Sequence, residues 1–212
     1  MSTSPAKENM LRRIRQALRT PVPVPFPHAE KNTAAVFKSD SNDNAVIFAE
    51  QFAKLQGKFS FCEDENVFVA QLKSLLEEKS WTKVYCRETV FTNLLNKNGI
   101  SLHQQLEDCD VSITGCECLV ARTGTIVMST AQESGRTTSV YAPVHICIAF
   151  ANQVVYDVKD ALETITDRFS ENIPSLITFA SGPSRTADIE KTLVTGVHGP
   201  KEVYCFLMEA NC

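Results

Sequence analysis

The chain has 212 residues and a net charge of −4 at pH 7, with 43% hydrophobic and 22% charged residues. That balance suits one soluble globular domain, large enough to bury a core without disulfides or metal. It argues against a protein that lives on nucleic acid, and no stretch approaches the roughly 20 apolar residues of a membrane span.

In chain order, residues 5–20 pattern as a helix with Leu11, Ile14 and Leu18 on one face and arginines around it. Five basic residues stand there against Glu8 alone, so the rest of the chain carries the acidic excess. No apolar run accompanies these charges, which argues against a secretory signal and for the cytoplasm. Prolines at every second position of 21–27 forbid a helix and predict a stiff, extended linker. Residues 1–27 are thus a basic arm and Pro-rich linker, and 28–212 a single α/β domain.

The body alternates. Helices are predicted at 44–56, after Asp64, at 88–96 and after Asp157, with strands at 58–62, 83–86, 110–114 and 144–150. Two β-rich runs, 118–122 and 125–129, flank Thr123-Gly124 as a two-residue hairpin. Strand–helix alternation implies a largely parallel sheet flanked by helices, and the hairpin makes it mixed. Ligands in such folds gather outside the carboxyl ends of the strands, where polar loops are expected. The eight cysteines fit no disulfide framework; Cys62, Cys86, Cys147 and Cys205 fall in apolar runs and read as buried small hydrophobes.

Candidate chemistry concentrates near the carboxyl terminus. A strand at 176–180 leads into Ser181-Gly182-Pro183-Ser184-Arg185-Thr186, and a short helical turn carrying Asp188 and Glu190 follows. Exposed amides at such a helix start hold anions, and Ser184, Arg185 and Thr186 add donors, although Asp188 and Glu190 compete for the same dipole. His198, between Gly196 and Gly199, is a candidate acid or base, with Asp188 and Glu190 as further candidates. His145 reads as a half-buried histidine with a satisfied hydrogen bond. Cys116 and Cys118 lack the second pair that zinc requires, so no metal site is expected. Glu133, Arg136, Thr137 and Thr138 lie in a polar loop, either solvated or a flap.

TGTIV at 123–127, PVHI at 143–146, GPSRTADIE at 182–190 and GVHGP at 196–200 resemble, in order and spacing, the LUD domain of the lactate-utilization protein C family. The resemblance spans roughly residues 45–208. It implies a fold like those of sugar-phosphate isomerases and CoA transferases. It also implies work beside iron–sulfur partner proteins in oxidising L-lactate to pyruvate, with no cluster or other cofactor in this chain. On this footing Thr123, Gly124, Thr125, Gly182, Ser184, Arg185, Thr186 and Gly199 are expected to hold a small anionic ligand. The expected role is an accessory or ligand-binding subunit; the alternative is an independent enzyme using His198, Glu190 or Asp188. The family commonly has Glu before Thr-Gly-Thr, where this chain has Arg122.

Overall fold

The computed structural model describes residues 5–18, 43–187, 193–196 and 198–209. The Pro-rich linker, the stretch 28–42, Asp188 and Glu190 lie outside them. Two compact units divide at residue 40. The first contains α1 (Pro5–Leu18), and everything below belongs to the second.

Five parallel strands form the central sheet, in the order β1 (Lys58–Cys62), β11 (Glu202–Met208), β6 (Val144–Phe150), β3 (Val111–Thr114) and β2 (Val84–Cys86). β11 therefore lies inside the sheet, between β1 and β6. Both faces are covered, so β6 and β11 are apolar almost throughout, as buried parallel strands must be. Ile146, Ile148 and Phe206 meet α3 (Glu65–Glu78) and α4 (Thr89–Lys97) through Phe68, Leu72, Phe91 and Leu95. Their alternate residues Cys147, Ala149, Cys205 and Leu207 face the other way, against Phe48 and Phe52 of α2 (Asn44–Lys54).

The expected antiparallel hairpin is present but belongs to a second sheet. β7 (Val154–Val155), β4 (Cys118–Val120), β5 (Thr125–Ser129) and β8 (Ile177–Ala180) lie side by side, and Leu119, Ile126 and Met128 pack in the same core as α2. α6 (Val158–Phe169) closes the outer side through Ala161 and Ile165. The mixed character of the fold thus resides in this second sheet, while the central sheet is wholly parallel.

Local chemistry fixes many of the boundaries. Asp64 and Asp157 cap α3 and α6 through bonds from Val67 N–H (2.8 Å) and Lys159 N–H (3.3 Å). The hairpin turn is longer than predicted, because Val120 pairs with Thr125 and leaves residues 121–124 between them. A two-residue type I′ turn needs positive φ at both central positions. Gly124 adopts it, at +57°, and Thr123 does not. The helical turn expected to carry Asp188 and Glu190 lies outside the described residues, and the end of the polar loop before it is a strand. This strand, β9 (Arg185–Ala187), pairs antiparallel with β10 (Leu193–Thr195). The mid-chain loop ends in a short helix, α5 (Thr138–Tyr141), and is anchored rather than free: Glu133 accepts from Thr89 N–H at 2.6 Å and Arg136 donates to Ser175 at 2.7 Å. Among the described residues no helix is long and apolar enough to cross a membrane.

Candidate functional site

The signature loops meet at the amino ends of the central strands, contrary to the expected carboxyl ends. Gly182 takes φ +80°, a conformation that disfavours any side chain, and a Cβ there would lie 2.5 Å from the Leu55 carbonyl oxygen. Arg185 donates to that same carbonyl at 2.6 Å, placing a cation on the C-terminal end of α2. Ser184 then joins this loop to the one at 196–200. Its N–H donates to Pro200 O and its carbonyl accepts from Gly196 N–H, both at 2.9 Å. Lys201 N–H continues the chain of contacts to Pro143 O at 2.7 Å, at the entry to β6.

These contacts enclose a cavity of about 280 Å³. Its wall includes Gly182, Ser184, His198 and Gly199, together with Ser139 and His145. Among the described residues no carboxylate, ammonium or guanidinium group lines it. His145 is 1% exposed, deeper than the half-buried position expected, and its Nε2 lies 2.8 Å from Thr114 Oγ1. Burial lowers its pKa from 6.5 to about 4. The imidazole is therefore neutral at physiological pH.

Other candidates fall outside this wall. Thr125 is buried and links indirectly, its hydroxyl 2.8 Å from that of Thr123 and 2.7 Å from that of Ser181 at the cavity edge. Gly124 packs against α2, where a Cβ would come within 2.5 Å of Phe52 N. Arg185 braces the loop from behind. Thr186 lies in β9, and Asp188 and Glu190 are outside the described residues. Arg122 pairs with the α6 cap, its Nε and Nη2 reaching the two Asp157 oxygens at 2.6 and 3.1 Å.

A second cavity, about 330 Å³, lies outside the carboxyl ends of β2, β3 and β6. Its principal polar residues, Glu88, Glu117 and Arg168, had been passed over in the sequence. The signal was there: Glu88 and Glu117 each fall two or three residues past a strand end. Glu88 Oε1 accepts from Gly115 N–H at 2.8 Å, and burial holds its carboxyl above the usual range despite that bond. The buried Glu117 accepts from Ser129 Oγ at 2.6 Å and from Arg168 Nη1 at 2.8 Å. Glu133 also lines this space, so among the described residues its carboxylates outnumber its one cation, Arg168.

The seven described cysteines are all buried and unpaired. Burial pushes the thiols of Cys62 and Cys109 up to about 11 and those of Cys86 and Cys118 to about 12. Such thiols are poor nucleophiles and poor metal ligands. No three His, Cys, Asp or Glu side chains among the described residues gather as metal ligands.

Comparison with known proteins places this geometry in context. The chain is 34% identical to the lactate utilization protein C of Deinococcus radiodurans over 116 residues, 54% of each protein. It is 29% identical to that of Shouchella clausii over 192 residues, 82% of each. In several of the matches the chain spans about half the length of the curated relatives, 40% to 54% of them. A crystal structure of a DUF162 family protein from Deinococcus radiodurans shares the fold, with a TM-score of 0.61 at 17% identity, covering 81% of this chain and 99% of that one. The LUD domain family matches residues 28–208, which take in both sheets and the amino-end cavity, and the chain belongs to that family.

Proposed function

We propose that this chain serves lactate utilization as a ligand-binding subunit, holding a small hydroxy acid anion in the amino-end cavity while iron–sulfur partner proteins in the cytoplasm take the electrons. The relatives' names support the pathway. One observation carries the site: Gly182, Ser184, His198 and Gly199, far apart from His145 in sequence, line one cavity with it, and no acid is among its described lining residues. At about 280 Å³ the cavity falls just below the roughly 300–1,000 Å³ of drug-sized pockets, which suits a metabolite of a few heavy atoms rather than a nucleotide. The carboxyl-end cavity, with its surplus of carboxylates, repels an anion.

Ser184 and Ser139 supply hydroxyl donors, His198 stands at the exposed side, and Arg185 and Gly182 hold the loop in place. Titration calorimetry of L-lactate tests the reading. The wild-type chain binds, and Ser184→Phe, which fills the cavity, loses binding at least tenfold while unfolding at a similar temperature. Equal binding by both proteins refutes the site.

A further inference from the structure

Resting on that reading of the cavity, we infer that it selects an alcohol over a ketone: His145 presents an unprotonated Nδ1 that accepts a hydrogen bond from the hydroxyl of a 2-hydroxy acid. His145 is then a specificity-determining residue. The inference follows from counting hydrogens around one buried ring.

The Thr114 hydroxyl has a single hydrogen, which serves either the Gly115 carbonyl at 2.9 Å or His145 Nε2 at 2.8 Å, and both contacts form together only when it goes to the carbonyl. The Met128 sulfur, 3.9 Å away, is the weaker alternative acceptor. With its hydrogen committed, Thr114 Oγ1 offers His145 only a lone pair. In the arrangement that keeps both contacts, Nε2–H is the donor at 2.8 Å. A neutral imidazole carries one N–H, so Nδ1 bears the lone pair.

Nδ1 has no partner among the described residues. Every described side-chain nitrogen or oxygen that is fully shut off from solvent does have one. An unpartnered Nδ1 on a residue of this burial is therefore reached from the cavity that His145 lines. An acceptor reached from the cavity is open to a ligand hydroxyl as its donor. A keto oxygen sets lone pair against lone pair, and a ligand with hydrogen at that carbon leaves the acceptor empty. Sites that hydrogen-bond a substrate hydroxyl discriminate strongly against analogues lacking it. The cavity thus favours the reduced partner of a hydroxy acid and keto acid pair, and a two-electron oxidation product is released more readily than the substrate is bound.

Calorimetric titration with L-lactate, pyruvate and propionate tests this directly. The wild-type chain is expected to bind L-lactate at least tenfold, about 1.4 kcal/mol, more tightly than either of the others. His145→Phe, which keeps a ring but no nitrogen, brings the three within about threefold of one another. Equal binding of lactate and pyruvate by the wild type overturns this inference and leaves the ligand site standing. Binding of none of the three overturns both. Long-range ¹⁵N–¹H spectra of the ligand-free chain give a second check at neutral pH, expected to show His145 protonated at Nε2 and bare at Nδ1. Protonation at Nδ1 overturns the inference even where lactate binds.

Discussion

Acidification gives the sharpest test of the buried histidine. The His145 pKa falls from 6.5 to about 4 on burial, so between those values the unfolded chain takes up a proton that the folded chain refuses. The sign follows. His145 imposes no penalty above pH 6.5, destabilises the fold progressively as pH falls through the window, and adds nothing further below pH 4. Each pH unit within the window costs about 1.4 kcal/mol. Moving from pH 7.5 to pH 4.5 therefore removes about 2–3 kcal/mol attributable to this ring. Carboxylates titrate over part of the same range, Glu88 with its raised pKa among them, so the quantity to measure is a difference between two proteins. Urea unfolding of the wild type and of His145→Gln at both pH values supplies it, with His145→Asn as a second substitution. The wild type should lose about 2–3 kcal/mol more than the variants. Equal losses would mean that the ring accepts a proton in the folded state, and the neutral acceptor would be gone.

Two further substitutions probe the supports of the sites. Gly182→Ala forces a side chain into left-handed backbone and against the Leu55 carbonyl; about 2–4 kcal/mol should be lost, seen as a fall in Tm of about 5–15 °C by circular dichroism, whereas an unchanged Tm would show that the loop does not ride on α2. Arg168→Ala leaves Glu117, whose side chain is 3% exposed, with only the Ser129 hydroxyl. That should cost about 1–3 kcal/mol in urea unfolding, with partial recovery in Arg168→Lys, and a loss below about 0.5 kcal/mol would show that water replaces the guanidinium.

What was legible in the sequence was what local chemistry determines. The stripe Phe68, Leu72, Leu75, Leu76 and the cap Asp64 specify α3 by themselves, and β1 and β6 occupy the residues that their apolar runs mark. What was not legible depends on pairing between distant segments. β7 is two residues long and exists only because β4 lies beside it. The polar run 181–186 reads as a loop, and only pairing with β10 makes Arg185–Ala187 a strand. The same holds for the site. The polar loops were visible as chain segments. Which strand ends they flank follows from the final strand inserting between β1 and β6, with its amino end beside that of β6. Arg122, read as a departure from the family, gains its meaning only from Asp157 on another element. His145 was visible as a satisfied histidine, but its second nitrogen could be assigned only once Thr114 and Gly115 stood next to it.

The measurement closest to the central claim is a titration of L-lactate into the ¹⁵N-labelled chain, followed by amide shifts. Binding at the proposed site moves the signals of Ser139, Ser184, His198 and Gly199, which line one cavity at the amino ends of the strands. Shifts confined instead to Gly115, Gln132 and Gln153 would put the ligand in the carboxyl-end cavity and contradict the account.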